Sequence, residues 1–338
     1  MRVVLLAETG ELLDEGMRNT AHYLYWELSK YCEIKLMDMR KWKTKQFWVQ
    51  LKKFNPDIVH YLHGPTILTF IFLRFVKMYI PRAKIIVSAP RPVLPTPVRP
   101  LLRYLKPNLI LAQSNLTYNI FKSQGINVKL FPVGVDVNRF HPVRESKKFE
   151  LRRKYGLPLS KFLILHIGSI KPGRNTHLLR YLNSEENQVF VVGRVTTNND
   201  QKIYKELING GSIVWLKYFK NVEELYQMAD CYVYLAVHKF DRWGRNITDS
   251  IEMPLTVLEA MATNIRVVTT RFGGLPVFFE EGDGLVYIDD PTPESILEQV
   301  EKIKKEKKIN TRKKVLPFSW DKIAEMLLEV YSDVLEER

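Results

Sequence analysis

The chain has 338 residues, 46% of them apolar and 26% charged, with a formal net charge of +14. That length exceeds one ordinary core and suits two domains, and the composition is globular rather than disordered or fibrous. No apolar run reaches the ~18 residues of a spanning helix, and Cys32 and Cys231 lack any metal-type spacing, leaving a distant disulfide or two thiols of a reducing compartment.

The chain opens with an apolar run broken by Glu8. It reads as a strand over 2–7 rather than a signal peptide, so the expected location is the cytoplasm. A helical pattern over 19–30 follows, then strands over 33–37, 58–62, 84–88, 109–112 and 129–131. Polar residues near 142–147 mark a boundary. Beyond it, strands over 163–167, 188–192, 213–216, 231–235 and 265–270 alternate with helical patterns, including 222–229 and 295–305. Such alternation predicts an α/β chain with doubly wound parallel sheets. The expected domains are 1–143, 144–318, and a C-terminal helix over 319–338 that packs back on the first.

Charge is unevenly placed. Residues 1–142 hold 21 Lys and Arg against 9 Asp and Glu, and Asp57 is the single acid between Arg40 and Lys122. A basic half of this kind points to an anionic partner, with a solubilising surface as the plainer alternative. Within it, Ile67, Leu68, Phe70, Ile71, Phe72, Leu73, Phe75 and Val76 form a dense apolar run with Arg74 and Lys77. The run reads either as a core helix or as an interfacial helix on anionic lipid. Trp42, Phe47 and Trp48 interleave Lys41, Lys43, Lys45, Lys52 and Lys53, as an interfacial anchor would. No nucleic-acid motif accompanies the charge.

The segment from Pro254 to Gly274 is the most informative. It reads as a short helix carrying Glu259 in an apolar run, a buried strand, and a Gly273-Gly274 turn where backbone can approach a ligand. Other stretches fall in a telling order: His63-Gly64 after a strand, Leu130 through Gly134 and Asp136 to Phe140 and Pro142, the strand into Gly168 with Lys171-Pro-Gly-Arg174, and Phe318-Ser-Trp-Asp321 before Tyr331. Together these motifs resemble glycosyltransferase family 4, the glycosyl transferases group 1, and the resemblance covers nearly the whole chain. It implies the GT-B fold: two facing Rossmann-like domains with a cleft between them.

The resemblance also implies roles. The chain would be a retaining hexosyltransferase, moving a sugar from a nucleotide-diphosphate donor to a glycan or lipid-linked acceptor. No metal and no cofactor beyond the donor are expected. Glu259 would bind the donor ribose; an ionised carboxylate can accept a bidentate pair from a vicinal diol. The family's first glutamate falls at Ile251, so Glu252, one residue on, is the candidate for its catalytic role. Ser169 replaces the family's arginine, and Arg174 stands where a lysine is usual. Arg174, Lys171 and the backbone at Gly168 would clamp the diphosphate, helped by the N–H groups of Thr256 and Val257 and by Gly274. Gly16, His63 and Arg91 are candidates for the acceptor or cleft, with a plain loop and a structural histidine as alternatives for the first two. An anionic membrane surface, on its cytoplasmic face, is the expected partner, and nucleic acid is not. A sugar-nucleotide epimerase and a non-catalytic sugar-nucleotide or lipid-binding protein are the competing readings.

Overall fold

The computed structural model describes residues 1–9, 16–91, 94–248 and 250–337, with side chains of the first helix described from residue 19. The chain forms two compact units. Unit 1 comprises Met1–Gly134, Phe240–Met253 and Trp320–Arg338, and unit 2 comprises Val135–Lys239 and Pro254–Ser319.

Unit 1 runs β1 (Arg2–Ala7), α1 (Gly16–Leu28), β2 (Glu33–Asp38), α2 (Lys45–Phe54), β3 (Ile58–Tyr61), α3 (Ile67–Tyr79), β4 (Lys84–Ala89), β5 (Leu109–Ala112), α4 (Asn115–Lys122) and β6 (Val128–Leu130). Its sheet is parallel, in the order β2-β1-β3-β4-β5-β6. Val3 to Leu6, Ile58 and Val59 have no exposed surface, which is why these strands read as unbroken apolar runs. The helices start where side chains take up free backbone N–H groups: Thr44 before α2, Thr66 paired reciprocally with Thr69 at α3, and Ser114 before α4. The apolar run at 67–79 is a helix whose inner side, with Phe70, Leu73 and Val76, lies in the core.

Unit 2 runs α5 (Glu145–Lys154), β7 (Phe162–Ile167), β8 (Asn187–Val192), α6 (Asn198–Asn209), β9 (Ile213–Trp215), α7 (Glu223–Gln227), β10 (Cys231–Tyr234), α8 (Leu255–Ala262), β11 (Arg266–Thr270), α9 (Leu275–Phe278), β12 (Leu285–Ile288), α10 (Pro293–Lys304) and α11 (Thr311–Val315). Its parallel sheet has the order β12-β11-β10-β7-β8-β9. Strand β12, only four residues long, is absent from the sequence reading.

Two excursions return the chain to unit 1, which ends its first pass at Gly134 rather than at 143. In the first, Asp241 Oδ1 accepts from the N–H groups of Trp243 and Arg245 at 2.9 Å, and the Thr96 N–H donates to the Trp243 carbonyl at 2.8 Å. The second is α12 (Trp320–Glu336), which lies on α1, Trp320 stacking on Tyr23 at 5.1 Å. Gly134 is required there, because a Cβ would lie 2.3 Å from the Trp320 ring. Tyr331 of the same helix bonds Nδ1 of buried His60 at 2.7 Å, and His60 Nε2 bonds Ser88 at 2.8 Å. Among the described residues, no helix is long and apolar enough to cross a membrane.

Candidate functional site

In unit 2 the strand order reverses between β7 and β10, and open α/β sheets bind ligands outside the carboxyl ends of strands at such a point. Strand β7 passes there into Gly168, at a φ of +149° that side chains rarely adopt. A Cβ on Gly168 would lie 2.6 Å from Nη1 of Arg174, and one on Gly193 would lie 2.0 Å from the Gly168 carbonyl oxygen. The two glycines therefore let the turns after β7 and β8 close on one another, with the Arg174 guanidinium laid over Gly168. The 3₁₀ turn Pro172–Arg174 closes through the Arg174 N–H on the Lys171 carbonyl at 3.1 Å. Asn175, at φ +50°, then ties the turn to the end of β10 by donating to the Leu235 carbonyl at 3.0 Å. Sequence reasoning missed two further cations around this turn. The Arg194 carbonyl accepts from the Ile170 N–H at 3.0 Å, and Lys239 Nζ donates to the Pro172 carbonyl at 3.3 Å.

Helix α8 carries Glu259, and the Tyr232 hydroxyl feels the charges of both Glu259 and Arg174. Tyr226 of α7, fully buried, donates from its hydroxyl to Glu259 Oε2 at 2.6 Å. Glu259 keeps some exposed surface, but protein atoms surround its carboxylate closely. Desolvation pushes its pKa up to about 7, against the opposing pull of the Tyr226 hydrogen bond and Arg139. Thr256 hydrogen-bonds the Tyr232 hydroxyl, which itself donates to the Ile167 carbonyl at 3.2 Å. One polar chain thus joins the start of α8 to the end of β7. Neither Tyr226 nor Tyr232 stands out by pattern; each acquires its role from a partner at least 24 residues away in the chain.

His166 is a second group that the sequence reading passed over, although it is the polar interruption in β7. Its Nδ1 donates to the Val233 carbonyl at 2.9 Å, so Nε2 carries the lone pair. Nε2 is buried without a hydrogen-bond partner, 3.7 Å from where a Gly168 Cβ would stand. Burial lowers the His166 pKa to about 4 and keeps the ring neutral.

Three expectations need correction. The Val257 N–H is not available to a phosphate, because the Pro254 carbonyl accepts it at 3.1 Å and Val257 is fully buried. In the glycine turn the positive φ belongs to Gly273, at +59°; Gly274 has an ordinary φ of −86° and is buried. Glu252, assigned a catalytic role above, has its carboxylate engaged inside unit 1. It lies in unit 1 with 0% exposure, its Oε2 accepting from the Ser114 hydroxyl and, at 2.7 Å, from Thr117. Its N–H donates to the Pro90 carbonyl at 2.8 Å. At the start of α4, Glu252 pins the 240–253 excursion, while its Oε1 is buried without a hydrogen-bond partner. Among the described residues no cluster of three His, Cys, Asp or Glu is placed to hold a metal.

In unit 1 the turns after β3 and β4 meet, since a Cβ on Gly64 would lie 2.3 Å from the Arg91 carbonyl oxygen. His63 beside it is buried, its ring centroid 6.5 Å from that of Tyr61. Gly16 opens α1 after β1; the loop before it, including Glu15, lies outside the described residues. These positions again sit beyond strand carboxyl ends, near the β1/β3 reversal of order.

Comparison with known proteins bears on this arrangement. The model of the family "Glycosyl transferases group 1" matches residues 147–315, which contain Gly168, Lys171, Arg174, Tyr226, Tyr232 and Glu259. Spore coat protein SA of Bacillus subtilis is 25% identical over 240 residues, 62% of this chain and 60% of that protein. Sulfoquinovosyl transferase SQD2 of Arabidopsis thaliana is 25% identical over 251 residues, 69% of this chain and 46% of its own length. The chain thus spans about half the length of these relatives. Sucrose-phosphate synthase from Thermosynechococcus elongatus superposes with a TM-score of 0.76 at 12% identity, all of both chains being covered. Anabaena HepE, solved in complex with UDP and glucose, gives 0.74 at 13% identity over 98% of this chain and 100% of that one. The shared fold is GT-B, built here as two Rossmann-like units with six parallel strands each. On the match across half its length, together with that fold, the chain belongs to the glycosyl transferases group 1 family.

Proposed function

We propose that this protein is a retaining glycosyltransferase that moves a hexose from a nucleotide-diphosphate sugar to a glycan or lipid-linked acceptor at a membrane surface. The observation that carries the reading is the convergence of Glu259 and the Gly168–Arg174 turn on the β7/β10 reversal of unit 2. Glu259, ionised, accepts the ribose diol of the donor. Arg174 and Lys171 face the diphosphate, with Arg194 and Lys239 adding charge nearby; cations in such a place stabilise the charge that grows as the sugar leaves. The bond from the anomeric carbon to the diphosphate oxygen breaks, and the acceptor oxygen bonds that carbon from the same side. The acceptor proton passes to the departing diphosphate. His63, Arg91 and the start of α1 at Gly16 form the acceptor side on unit 1. That HepE was solved with UDP and glucose supports a nucleotide-sugar donor here.

One observation favours a second reading, binding without turnover. Ile251 stands where the family resemblance places the first glutamate, and the Glu252 carboxylate is already bonded to Ser114 and Thr117. Incubation with a panel of nucleotide-diphosphate sugars separates the readings. Donor-derived sugar on an acceptor, with the donor's anomeric configuration seen by NMR, supports transfer. An isomerised donor indicates an epimerase, and binding without any product leaves only the binding role.

A further inference from the structure

The outward side of α3 is apolar. Leu68, Phe75 and Met78 are 71%, 53% and 65% exposed, and Ile71 is exposed beside them. Positions 68, 71, 75 and 78 share one face of a helix. A surface helix ordinarily turns polar residues outward; on this face the single charge is Arg74. A contiguous exposed apolar patch marks an interaction surface.

Its surroundings identify the partner. Trp42 packs on Phe72 of the helix at 5.5 Å and Tyr79 is its last residue, with Lys43 Nζ 5.7 Å from the Trp42 ring centroid and Lys52 Nζ 5.6 Å from that of Tyr79. The 3₁₀ segment Thr96–Tyr104 lies against α3 and exposes Leu101 and Tyr104, the latter beneath the Arg103 guanidinium at 4.8 Å. The lone acid of this stretch, Asp57, is already paired with Arg82 at 2.8 Å. An apolar stripe with aromatic flanks and an uncompensated basic rim matches the boundary of an anionic bilayer. A second copy fits poorly, since a twofold contact would bring the two basic rims together.

We infer that the outward face of α3 docks unit 1 on anionic lipid. Leu68, Ile71, Phe75 and Met78 enter the headgroup boundary, while Lys43, Lys52, Arg74 and Arg103 meet lipid phosphates. The inference rests on the membrane part of the proposed function and is independent of donor binding. The test is co-sedimentation of the full chain with vesicles of phosphatidylcholine alone or with phosphatidylglycerol. The expected result is binding at least about tenfold tighter to the anionic vesicles, weakening with salt. The variant Leu68→Ser/Phe75→Ser/Met78→Ser is expected to lose at least about tenfold of that binding, with unchanged melting temperature and unchanged donor affinity. Equal binding to both vesicles, or binding unaffected by the triple variant, overturns the inference. So does a dimer, seen by light scattering, that the triple variant dissolves. Donor titration of the same samples shows separately whether the transferase reading stands.

Discussion

The Tyr226 hydroxyl donates to Glu259 Oε2 at 2.6 Å, joining α7 to α8. This bond favours the ionised carboxylate and opposes the burial that leaves its pKa at about 7. Donor binding that needs ionised Glu259 weakens as the pH falls through that value. Tyr226→Phe removes the bond while keeping the ring. The expected outcome is a midpoint of donor binding displaced to higher pH, with affinity at pH 7 reduced about fivefold, near 1 kcal/mol. Calorimetric titrations from pH 5.5 to 8.5 check this; an unmoved midpoint would show that Glu259 does not titrate with binding.

Gly168 is open to a similar test. Its φ of +149° and the Arg174 guanidinium 2.6 Å from the site of a Cβ leave no room for a methyl group. Gly168→Ala is expected to displace Arg174, weaken donor binding by about tenfold or more, and lower stability by about 1–3 kcal/mol. Arg174→Lys, which keeps a charge without the planar fork, should weaken binding without the loss of stability. If Gly168→Ala melts normally and binds donor normally, the turn does not serve the donor.

Glu252 should behave in the opposite way. Replacing it with alanine strands the Ser114 and Thr117 hydroxyls and empties a buried space at the start of α4. A loss of about 1–3 kcal/mol in chemical unfolding is expected, with donor affinity retained. Lost donor affinity at full stability would return Glu252 to the binding site.

His60 governs acid stability. Buried between Tyr331 and Ser88, it has a pKa lowered to about 3 from 6.5. The unfolded chain binds a proton that the fold refuses between those values, so stability is lost as the pH falls from 6.5. At pH 5 the loss from this residue is on the order of 2 kcal/mol. His166, lowered to about 4, acts with the same sign, whereas raised Glu259 acts oppositely between pH 4.5 and 7. His60→Gln should flatten the fall in melting temperature between pH 6.5 and 5. An unchanged slope would mean that His60 takes up its proton without opening the fold.

Most of the fold was legible because buried parallel strands such as β1, β5 and β7 are written as apolar runs. Strand β12 is as long and as apolar as β5, yet the sequence reading passed over it. The 240–253 excursion has no local signature; tertiary partners such as Thr96, Ser114 and Thr117 define it. For the same reason the partners of Glu252 were not legible: counting from a motif locates a residue along the chain but not the unit into which it folds. Glu259, Gly168 and Arg174 were legible because helix, strand and glycine turn follow each other locally. Tyr226, His166, Arg194 and Lys239 were not, because each gains its partner only when the unit folds.

The central claim is that unit 2 holds a nucleotide-diphosphate sugar through Glu259. Calorimetric titration of wild type and Glu259→Ala with the sugar nucleotide that wild type binds tests it most directly. The expected loss is at least a hundredfold, about 2.7 kcal/mol, in a variant that remains folded. Equal affinity in the two proteins would contradict it.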